Sequence, residues 1–427
     1  MDALTFEQQE IYNHIFEKIE IQEPISVCIL GAPGTGKTSL LLKIIEDLRN
    51  LKDINVFPLS HTGIAASSIY GTTIHSFFKF NINEHPYNSA SVVIDDRKVT
   101  INNLSTDPKS HSELTGVSGL HETNTNNVLI IDEISSCGIN LIVAIDKTLR
   151  HIFNTLDPFG GVHIILTGDM LQLDPVSDIP LWRVQHFPYK WDLFELEESL
   201  RNNQELFTIC NKIRDGKIST ISEIITREEA PFDKNTIYLF THRRDAYSFN
   251  QKAYSELIED CNYTDTNILY LENGMRVLFL TKKGNVSNGT IGYILNVDKK
   301  HVTIKTPYGS VIVNRNDIGI ESENYKPDIT ICFGSTIHKL QGQTLDKVCV
   351  KIRYIFEYGL VNVLLTRVRS LDMLRVEDIS DNGNIYGRST LIDYELKRRY
   401  VEAFKRRLGS RSEEAEKPLF FSFSKVR

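Results

Sequence analysis

A glycine-rich loop between a strand-like run and a helix-like run constrains this chain more than any other feature. Residues 31–38 read Gly-Ala-Pro-Gly-Thr-Gly-Lys-Thr; the apolar run Ile25–Leu30 predicts a buried strand before them, and Ser39–Leu48 predicts a helix after them. In this order the loop is a P-loop, whose backbone N–H groups surround phosphates. The chain is therefore predicted to bind ATP or GTP within an α/β fold. The expected nucleotide contacts are Gly31, Ala32, Pro33, Gly34, Thr35, Gly36, Lys37, Thr38 and Ser39.

Length and composition describe a multi-domain globular protein. The chain has 427 residues, too many for one compact core, with ordinary hydrophobic (41%) and charged (24%) content. It has no apolar stretch near the ~20 residues of a membrane span, and residues 1–8 lack the features of a signal peptide. Six scattered cysteines argue against a zinc site or disulfide framework and favour a reducing, intracellular setting, nuclear or cytoplasmic. The net charge of −7 argues against a protein that coats DNA, although it permits a local basic channel.

Residues 1–195 are predicted to form a first α/β domain. Short apolar runs alternate there with helical stretches, as in a parallel sheet covered by helices. The strand candidates are Ile25–Leu30, Val56–Leu59, Val128–Ile131 and Val162–Leu166. Residues 81–126 interrupt this pattern with a polar insertion that contains one β-like piece, Ser91–Ile94. Both a mobile loop and a functional protrusion fit that composition.

A second α/β domain is predicted over residues 196–265 and 316–395, beginning its strands at Ile237–Phe240 and resuming at Ile329–Cys332. Between its two parts, residues 266–315 have closely spaced strands and short turns, which predicts a small antiparallel β-barrel. The barrel strand candidates are Gly274–Leu280, Thr290–Val297, His301–Thr306 and Ser310–Val313. Residues 396–427 form a basic helix and tail, with the helix predicted over Tyr394–Leu408. A solvated helix is the favoured interpretation and a nucleic-acid contact the alternative.

Hydrolysis of a nucleoside triphosphate needs carboxylates that hold Mg²⁺ and orient water. The apolar strand that ends in Asp132 and Glu133 supplies two, with Asp132 placed for the metal and Glu133 for the attacking water. A third strand leads to Gln172, which is placed to contact the γ-phosphate. An arginine finger is also expected. The residues alone do not select among Arg201, Arg244, Arg353, Arg367 and Arg369.

Other short segments occur in a recognisable order, and together they resemble one family. They are Leu4–Gln8, Thr62–Ala66, Gly71–Phe77, Asp146–Arg150, Pro158–Gly161, Leu166–Asp169, Leu200–Asn202, Ser335–Leu345 and Leu365–Ser370. The set is similar to the motifs of superfamily 1B DNA helicases, specifically the petite-integration-frequency group and its RecD-like relatives. Thr-Ile-His-Lys-Leu-Gln-Gly at residues 336–342 and Thr-Arg-Val-Arg-Ser at 366–370 are the most specific elements. The resemblance extends from about residue 4 to residue 376.

The resemblance implies an α/β fold of two RecA-like P-loop NTPase domains, with an inserted SH3-like β-barrel and a small polar wedge insertion within residues 81–126. It implies that ATP and Mg²⁺ bind between the domains, that Arg201 and Arg367 are the arginine fingers, and that Gln8 and Gly342 contact the nucleotide. The residues it implies for gripping DNA are Thr62, Gly63, His75, Ser76, Thr336, His338 and Lys339. The expected function is 5′→3′ translocation on single-stranded DNA with unwinding at single-strand/duplex junctions. The motor is expected to be monomeric and not to bind membranes.

Three positions depart from the family pattern. Asp174 stands where relatives often carry proline, Met170-Leu171 replaces a usually aromatic pair, and Asn362-Val363-Leu364 replaces the commoner Tyr-Val-Ala. None removes a phosphate-handling residue. Two alternative functions remain open at this point, namely an RNA helicase of the same superfamily and a nucleotide-gated DNA-binding switch that does not unwind.

Overall fold

The computed structural model describes residues 4–80, 91–94, 97–100, 119–176, 178–184, 191–200, 204–215, 217, 222–261, 263, 268–355, 359–380 and 397–406, with backbone alone in 91–94 and 97–100. Helices and strands are numbered below in chain order. Two parallel sheets form two lobes, and a third sheet is inserted in the second lobe.

The first lobe is a six-stranded parallel sheet. Its strands are β1 (Ser26–Gly31), β2 (Asn55–Ser60), β3 (Thr72–Thr73), β6 (Asn127–Asp132), β7 (His163–Gly168) and β8 (Asp192–Leu196), in the order β3-β2-β6-β7-β1-β8. Strands β6 and β7 are buried along their whole length, which explains their continuous apolar sequences, because helices cover both faces of a parallel sheet. All four strands predicted for this domain are present.

The α-helices described within residues 4–200 are α1 (Phe6–Glu20), α2 (Lys37–Arg49), α3 (Gly63–Ser68), α4 (Ile74–Phe78) and α5 (Ile139–Phe153). Helix α1 buries Ile11, Ile15 and Ile19, which lie one turn apart on one face. A capping box between Thr5 and Gln8 begins it, since each side chain pairs with the other residue's backbone N–H. This cap fixes Gln8 close to the phosphate-binding loop.

The polar insertion within residues 81–126 contains an antiparallel hairpin. Strand β4 (Ser91–Ile94) pairs with β5 (Arg97–Thr100), so the predicted β-like piece exists and has a partner that the sequence did not reveal. Residues 81–90, 95–96 and 101–118 lie outside the described residues. The wedge assigned to this insertion therefore stays a prediction.

The second lobe is a five-stranded parallel sheet. The strands of this sheet are β9 (Ile225–Thr226), β10 (Ile237–Phe240), β17 (Gly334–Thr336), β18 (Val348–Ile352) and β19 (Leu374–Asp378). The lobe also contains the helices α6 (Gln204–Arg214), α7 (Arg243–Asp260) and α8 (Leu360–Leu365). The strand order is β17-β10-β18-β19-β9. A short 3₁₀ helix, Ile337–Leu340, follows β17 directly.

The inserted sheet is larger than predicted. Its strands are β11 (Arg276–Phe279), β12 (Ile291–Val297), β13 (His301–Thr306), β14 (Gly309–Asn314), β15 (Ile318–Gly319) and β16 (Ile329–Ile331), in the order β14-β13-β12-β11-β16-β15. The prediction that the α/β pattern resumes at Ile329–Cys332 is wrong, because β16 pairs antiparallel with β11. The predicted 315/316 boundary therefore cuts through the inserted sheet. Its SH3-like form stays a prediction.

Residues 397–406 are helical, within the predicted span Tyr394–Leu408. The helix does not project into solvent as the favoured interpretation held: Val401 and Phe404 are each 1% exposed and belong to the core of the first lobe. The chain thus leaves the second lobe after β19 and packs again on the first. In the part of the chain that the structure describes, no helix combines the length and apolarity that crossing a bilayer requires.

Candidate nucleotide-binding and strand-binding sites

The phosphate-binding loop has the backbone conformation that its glycines permit. Gly34 and Gly36 have φ values of 94° and 81°, in the left-handed region. A Cβ on Gly36 would meet the side-chain ends of Gln8 and Leu200, which can move aside, so it is the positive φ that favours glycine there. Helix α2 then begins at Lys37 and directs its N-terminus at the loop. Thr38 and Ser39 are exposed in its first turn.

Lys37 lies folded over the loop. Its Nζ donates to the carbonyls of Gly31 (2.8 Å) and Ala32 (3.0 Å). Burial lowers the pKa of Lys37, and the nearby carboxylates of Asp169, Glu133 and Asp132 oppose that shift. The ammonium group is thus held among acids at the place where a phosphate would contact it.

Gln8 lies against the same loop. It is 2% exposed, and its Nε2 donates to Gly36 O at 3.3 Å. The structure thus places Gln8 against the phosphate-binding loop, while its contact with the nucleotide remains a prediction.

Asp132 and Glu133 end strand β6 beside the loop. Asp132 Oδ1 accepts from Thr167 Oγ1 at 2.5 Å and from Glu133 N at 2.9 Å, so its carboxylate is fixed in place. Burial raises the pKa of Asp132. Thr167 was not predicted as a site residue, although its position at the end of β7, next to β6, was a usable signal.

Glu133 is strained and buried. Its backbone has φ 57° and ψ 49°, which costs a non-glycine residue about 1–3 kcal/mol. Oε2 is buried with no hydrogen-bond partner among the described residues. Burial, followed by the charge of Asp132, raises the pKa of Glu133 to about 7, against the opposing effects of Lys37 and Arg367. A buried, unpaired carboxylate oxygen fits a role in holding water.

The donor set fits Mg²⁺. This ion uses one or two protein carboxylates and takes its other ligands from waters and phosphates. Asp132 would supply one carboxylate and the exposed Thr38 one hydroxyl, which leaves the remaining positions to waters and phosphates. The described residues contain no cluster of three or more metal-binding side chains.

Arg367 comes to this site from the second lobe. It is 4% exposed, and its guanidinium donates to the carbonyls of Val363 (2.8 Å) and Gln343 (3.0 Å) of its own lobe. Its charge nevertheless acts on Glu133 of the first lobe. The two lobes thus place Lys37, Glu133 and Arg367 in one electrostatic environment.

Two further residues, Gly342 and Arg201, were predicted to contact the nucleotide, and the structure describes only the first of them. Gly342 has φ 82° and open space around its Cα. Arg201 lies outside the described residues. The residue before it, Leu200, donates its N–H to Gly34 O at 2.9 Å, so the chain reaches the phosphate-binding loop at that point.

Sequence reasoning missed the residue that ties the lobes together, Asp169. Its Oδ2 accepts from Arg214 of α6 at 2.5 Å and from Asn362 of α8 at 3.3 Å. The Arg214 guanidinium counters burial and lowers the pKa of Asp169. Asn362 was noted only as a departure from a family pattern, and here it supplies a cross-lobe hydrogen bond.

Gln172 follows on the same segment and is 4% exposed. A Cβ on Gly359 of the second lobe would lie 2.2 Å from the Gln172 carbonyl carbon, so the lobes touch here through backbone. Asp174, which also departs from the family pattern, accepts from Trp182 Nε1 at 2.9 Å and from Lys397 Nζ at 2.7 Å. Met170 and Leu171, the remaining departure, are buried in the first-lobe core.

A cavity of about 360 Å³ lies beside the start of the phosphate-binding loop. Gly31 and Ala32 line it from the first lobe, Asn211 and Arg214 from α6, and Glu402 from the 397–406 helix. The crevice next to the loop is therefore walled by both lobes.

The strand-gripping residues predicted on the first lobe lie beyond strands β2 and β3. Thr62 caps α3 by accepting from Ala65 N at 3.3 Å, and Gly63 packs on Ser287 of the inserted sheet. The ring of His75 lies 5.4 Å from that of His61. Burial lowers the pKa of His75. Ser76 is exposed, and its hydroxyl accepts from Thr73 at 2.8 Å.

Those predicted on the second lobe lie at the end of β17. His338 is exposed, and Thr336 is 4% exposed, so the Thr336 side chain is not presented to a strand in this structure. Lys339 Nζ pairs with Glu321 Oε2 at 2.5 Å and lies 5.7 Å from the ring centre of Tyr247. Sequence reasoning did not anticipate this acidic partner.

Comparison with known proteins agrees with this geometry. The PIF1-like helicase family model matches residues 3–223. The chain is 24% identical to the ATP-dependent DNA helicase RRM3 of Saccharomyces cerevisiae over 92% of this chain and 67% of that protein. It is 25% identical to the ATP-dependent DNA helicase Pif1 of Bdellovibrio bacteriovorus over 81% of this chain and 82% of that protein.

A solved structure extends the likeness to three dimensions. The crystal structure of Bacteroides Pif1 bound to single-stranded DNA matches with a TM-score of 0.63 and 25% identity, over 93% of this chain and 97% of that one. The two parallel lobes are therefore the expected RecA-like domains. Since the family model covers more than half of the 427 residues, the chain belongs to the PIF1-like helicase family.

Proposed function

We propose that this chain, an ATP-dependent DNA helicase by family, hydrolyses ATP between its two RecA-like domains to move 5′→3′ along single-stranded DNA and unwind duplex. One observation supports the coupling above all others. Gly31 and Ala32 of the phosphate-binding loop line one cavity with Arg214 of the second lobe, and the charges of Lys37 and Arg367, one from each lobe, both act to lower the pKa of the buried Glu133 carboxyl. A nucleotide bound there would contact both lobes, so its hydrolysis would change how the lobes are held together.

Each residue has a separate part in the proposed reaction. Lys37 binds the β- and γ-phosphates, and Asp132 and Thr38 hold Mg²⁺, which would neutralise charge developing on the phosphate oxygens. Glu133 orients the attacking water and takes its proton, a role that the unpartnered Oε2 supports. Gln172 contacts the γ-phosphate.

The arginines would close the site. Arg367 now donates to carbonyls of its own lobe, and the γ-phosphate would offer it a charged partner instead. Arg201 would contribute a second guanidinium next to the loop that Leu200 already contacts. ATP would therefore favour closed lobes and ADP open ones, which is a population shift driven by the γ-phosphate.

Translocation would follow from two grips on the strand. Thr62, Gly63, His75 and Ser76 would hold phosphates on the first lobe, and Thr336, His338 and Lys339 would hold them on the second, without reading sequence. Thr336 would act through the backbone of the 3₁₀ helix that it precedes, since its side chain is buried. The hairpin of β4 and β5 would be part of the wedge at the junction.

The partners we propose are single-stranded DNA and its junctions with duplex. The chain would act as a monomer inside the cell, in the nucleus or cytoplasm. An RNA helicase would instead show ATPase stimulation by RNA far above that by DNA. A nucleotide-gated switch would capture DNA with ATP and separate no strands.

A strand-displacement assay with opposed single-stranded tails tests this proposal. Duplexes carrying only a 5′ tail or only a 3′ tail are incubated with ATP, and release of the labelled strand is followed. We expect release from the 5′-tailed substrate alone. Release only from the 3′-tailed substrate would overturn the polarity, and no release from either would favour the switch.

Two variants assign the chemistry. Lys37→Ala should abolish hydrolysis and leave single-strand binding largely intact, because the lysine lies in the nucleotide site and not on a strand grip. Arg367→Ala should lower turnover far more than nucleotide affinity, by roughly 10³–10⁵-fold. DNA-stimulated ATPase that persists in Lys37→Ala would remove Lys37 from its assigned role.

A further inference from the structure

The 397–406 helix packs on the first lobe next to Gln172 and Asp174. Strand β19, which precedes it in the described chain, pairs with β18 and β9 in the second lobe. Yet Val401 and Phe404 lie in the first-lobe core, and Tyr400 packs at 6.0 Å on Trp182 of that lobe. The helix is therefore anchored to the first lobe by apolar contacts that do not depend on its charges.

Lys397 is the most buried charged residue of this helix. Lys397 is 1% exposed, and its Nζ donates to Gln172 O at 2.6 Å and to Asp174 Oδ1 at 2.7 Å. The ammonium also lies 5.6 Å from the ring centre of Trp182. A buried cation is costly unless it is paired and hydrogen-bonded, so this arrangement specifies both partners closely.

The segment that Lys397 holds is one of the places where the two lobes touch. Asp169 accepts from Arg214 and Asn362 of the second lobe, and Gln172 N donates to Asp169 O at 3.0 Å. Gly359 lies directly against the Gln172 backbone. Residues 169–174, which we call the junction segment, are thus fixed by the second lobe on one side and by Lys397 on the other.

We propose that Lys397 is a positioning residue for ATP turnover, which acts by holding the Gln172 carbonyl and the Asp174 carboxylate so that the junction segment keeps its place between the lobes. Lys397 acts through Gln172: it fixes the backbone from which that residue reaches the γ-phosphate. The inference rests on the proposed function of Gln172. It also explains why an acidic residue stands at position 174, because Asp174 neutralises the buried ammonium.

The test compares Lys397→Met with Lys397→Arg, Asp174→Asn and Arg406→Met. Arg406 is exposed on the same helix, so its replacement removes one charge without touching the junction segment. DNA-stimulated kcat and KM for ATP are measured for each, together with the melting temperature. A displacement of about 1 Å near reacting groups can cost roughly 10²-fold in rate.

We expect Lys397→Met to lower kcat roughly 10- to 100-fold with KM for ATP nearly unchanged, because the phosphate-binding loop is intact. Lys397→Arg should recover part of the loss, and Arg406→Met should behave as the unmodified protein. Asp174→Asn should lower kcat in the same way. A double variant that combines Lys397→Met with Asp174→Asn should be little worse than either single variant, since both changes act through one pair.

Three outcomes would overturn the inference: a kcat for Lys397→Met equal to that of Arg406→Met, a loss that lies wholly in KM, or fully additive effects in the double variant. If Lys397→Met does not fold, Asp174→Asn decides by the same criteria. Failure of the proposed function looks different, because the unmodified protein would then show no DNA-stimulated hydrolysis at all.

Discussion

Glu133 combines a strained backbone with a buried carboxylate oxygen that has no hydrogen-bond partner among the described residues. We expect Glu133→Gln to bind ATP but to hydrolyse it roughly 10²–10⁴-fold more slowly, since an amide cannot accept the proton of water. Equilibrium binding of a fluorescent ATP analogue and single-turnover hydrolysis measure the two effects separately. Glu17→Gln, at an exposed position of α1, is the matched control. Normal turnover in Glu133→Gln would remove this residue as the base.

His61, beside His75, makes stability depend on pH. Burial, and then the charge of His75, lowers the pKa of His61 to about 4. In the unfolded chain the histidine takes up its proton near pH 6.5, so stability present above that pH is lost as the pH falls towards 4.

Lowering the pH from 7.5 to 5 should therefore reduce the unfolding free energy of the unmodified protein by roughly 2 kcal/mol more than that of His61→Gln. Chemical denaturation at the two pH values measures the difference. His301→Gln, at an exposed histidine of β13, serves as control and should lose as much as the unmodified protein. Equal losses in all three proteins would show that His61 is not the group responsible.

Among the elements, the junction segment and the turn before α8 pack so closely that there is no room for a Cβ atom on Gly359. Gly359→Ala would place a Cβ 2.2 Å from the Gln172 carbonyl carbon, so the lobes must separate or the segment must move. Overpacking of this kind costs roughly 1–3 kcal/mol. We expect kcat for DNA-stimulated hydrolysis to fall, since Gln172 and Arg367 would no longer be aligned.

Gly319→Ala is the control for that change. Its added Cβ would meet the Tyr325 ring at 2.8 Å and Pro327 at 3.1 Å, in the inserted sheet and away from the junction segment. Steady-state ATPase assays and melting temperatures of both variants separate a general loss of stability from a specific loss of turnover. Equal kcat values would contradict the argument.

The elements also show where sequence reasoning works and where it stops. The strands of the first lobe were predictable because a buried parallel strand is a continuous apolar run. The same reasoning misplaced Ile329–Ile331, because a short apolar run has the same composition whether it joins a parallel sheet or an antiparallel insertion. The partner strand β5 escaped notice because a polar hairpin has no apolar periodicity.

For the candidate site, the sequence identified what lies within one motif. Lys37 and Glu133 follow from local strand–loop patterns, and the resemblance added Arg367. The contacts between motifs were not visible: Asp169 with Arg214 joins residues 45 positions apart, and Lys397 with Asp174 joins residues 223 positions apart. Such pairs depend on how the lobes pack, which no short window of sequence contains.

At the scale of the whole molecule, the strand grips predict a salt dependence for DNA binding. Each cation that neutralises a phosphate contributes about −0.7 to the slope of log K against log salt concentration for single strands. Lys339→Ala should therefore make the slope shallower by about 0.7. Lys347→Ala should not, because this exposed lysine pairs with Asp233 at the opposite ends of the second-lobe strands.

Fluorescence anisotropy with a labelled oligonucleotide, measured from roughly 50 to 300 mM salt, gives the slope for each of the two variants. The Lys339 ammonium must exchange Glu321 for a phosphate to contribute. An unchanged slope in Lys339→Ala would mean that Glu321 keeps the lysine in the bound state. A salt-independent affinity for the unmodified protein would point to another partner altogether.

The return of the 397–406 helix to the first lobe has a consequence for biosynthesis. Val401 and Phe404 complete an apolar core whose other buried members lie at or before Trp191. While the chain emerges from the ribosome, the N-terminal lobe must wait for more than 200 further residues before its last two core side chains arrive. Truncation ahead of residue 397 should thus leave an exposed apolar cleft on the N-terminal lobe. A nascent chain of that length would expose the same cleft, to which a chaperone would bind.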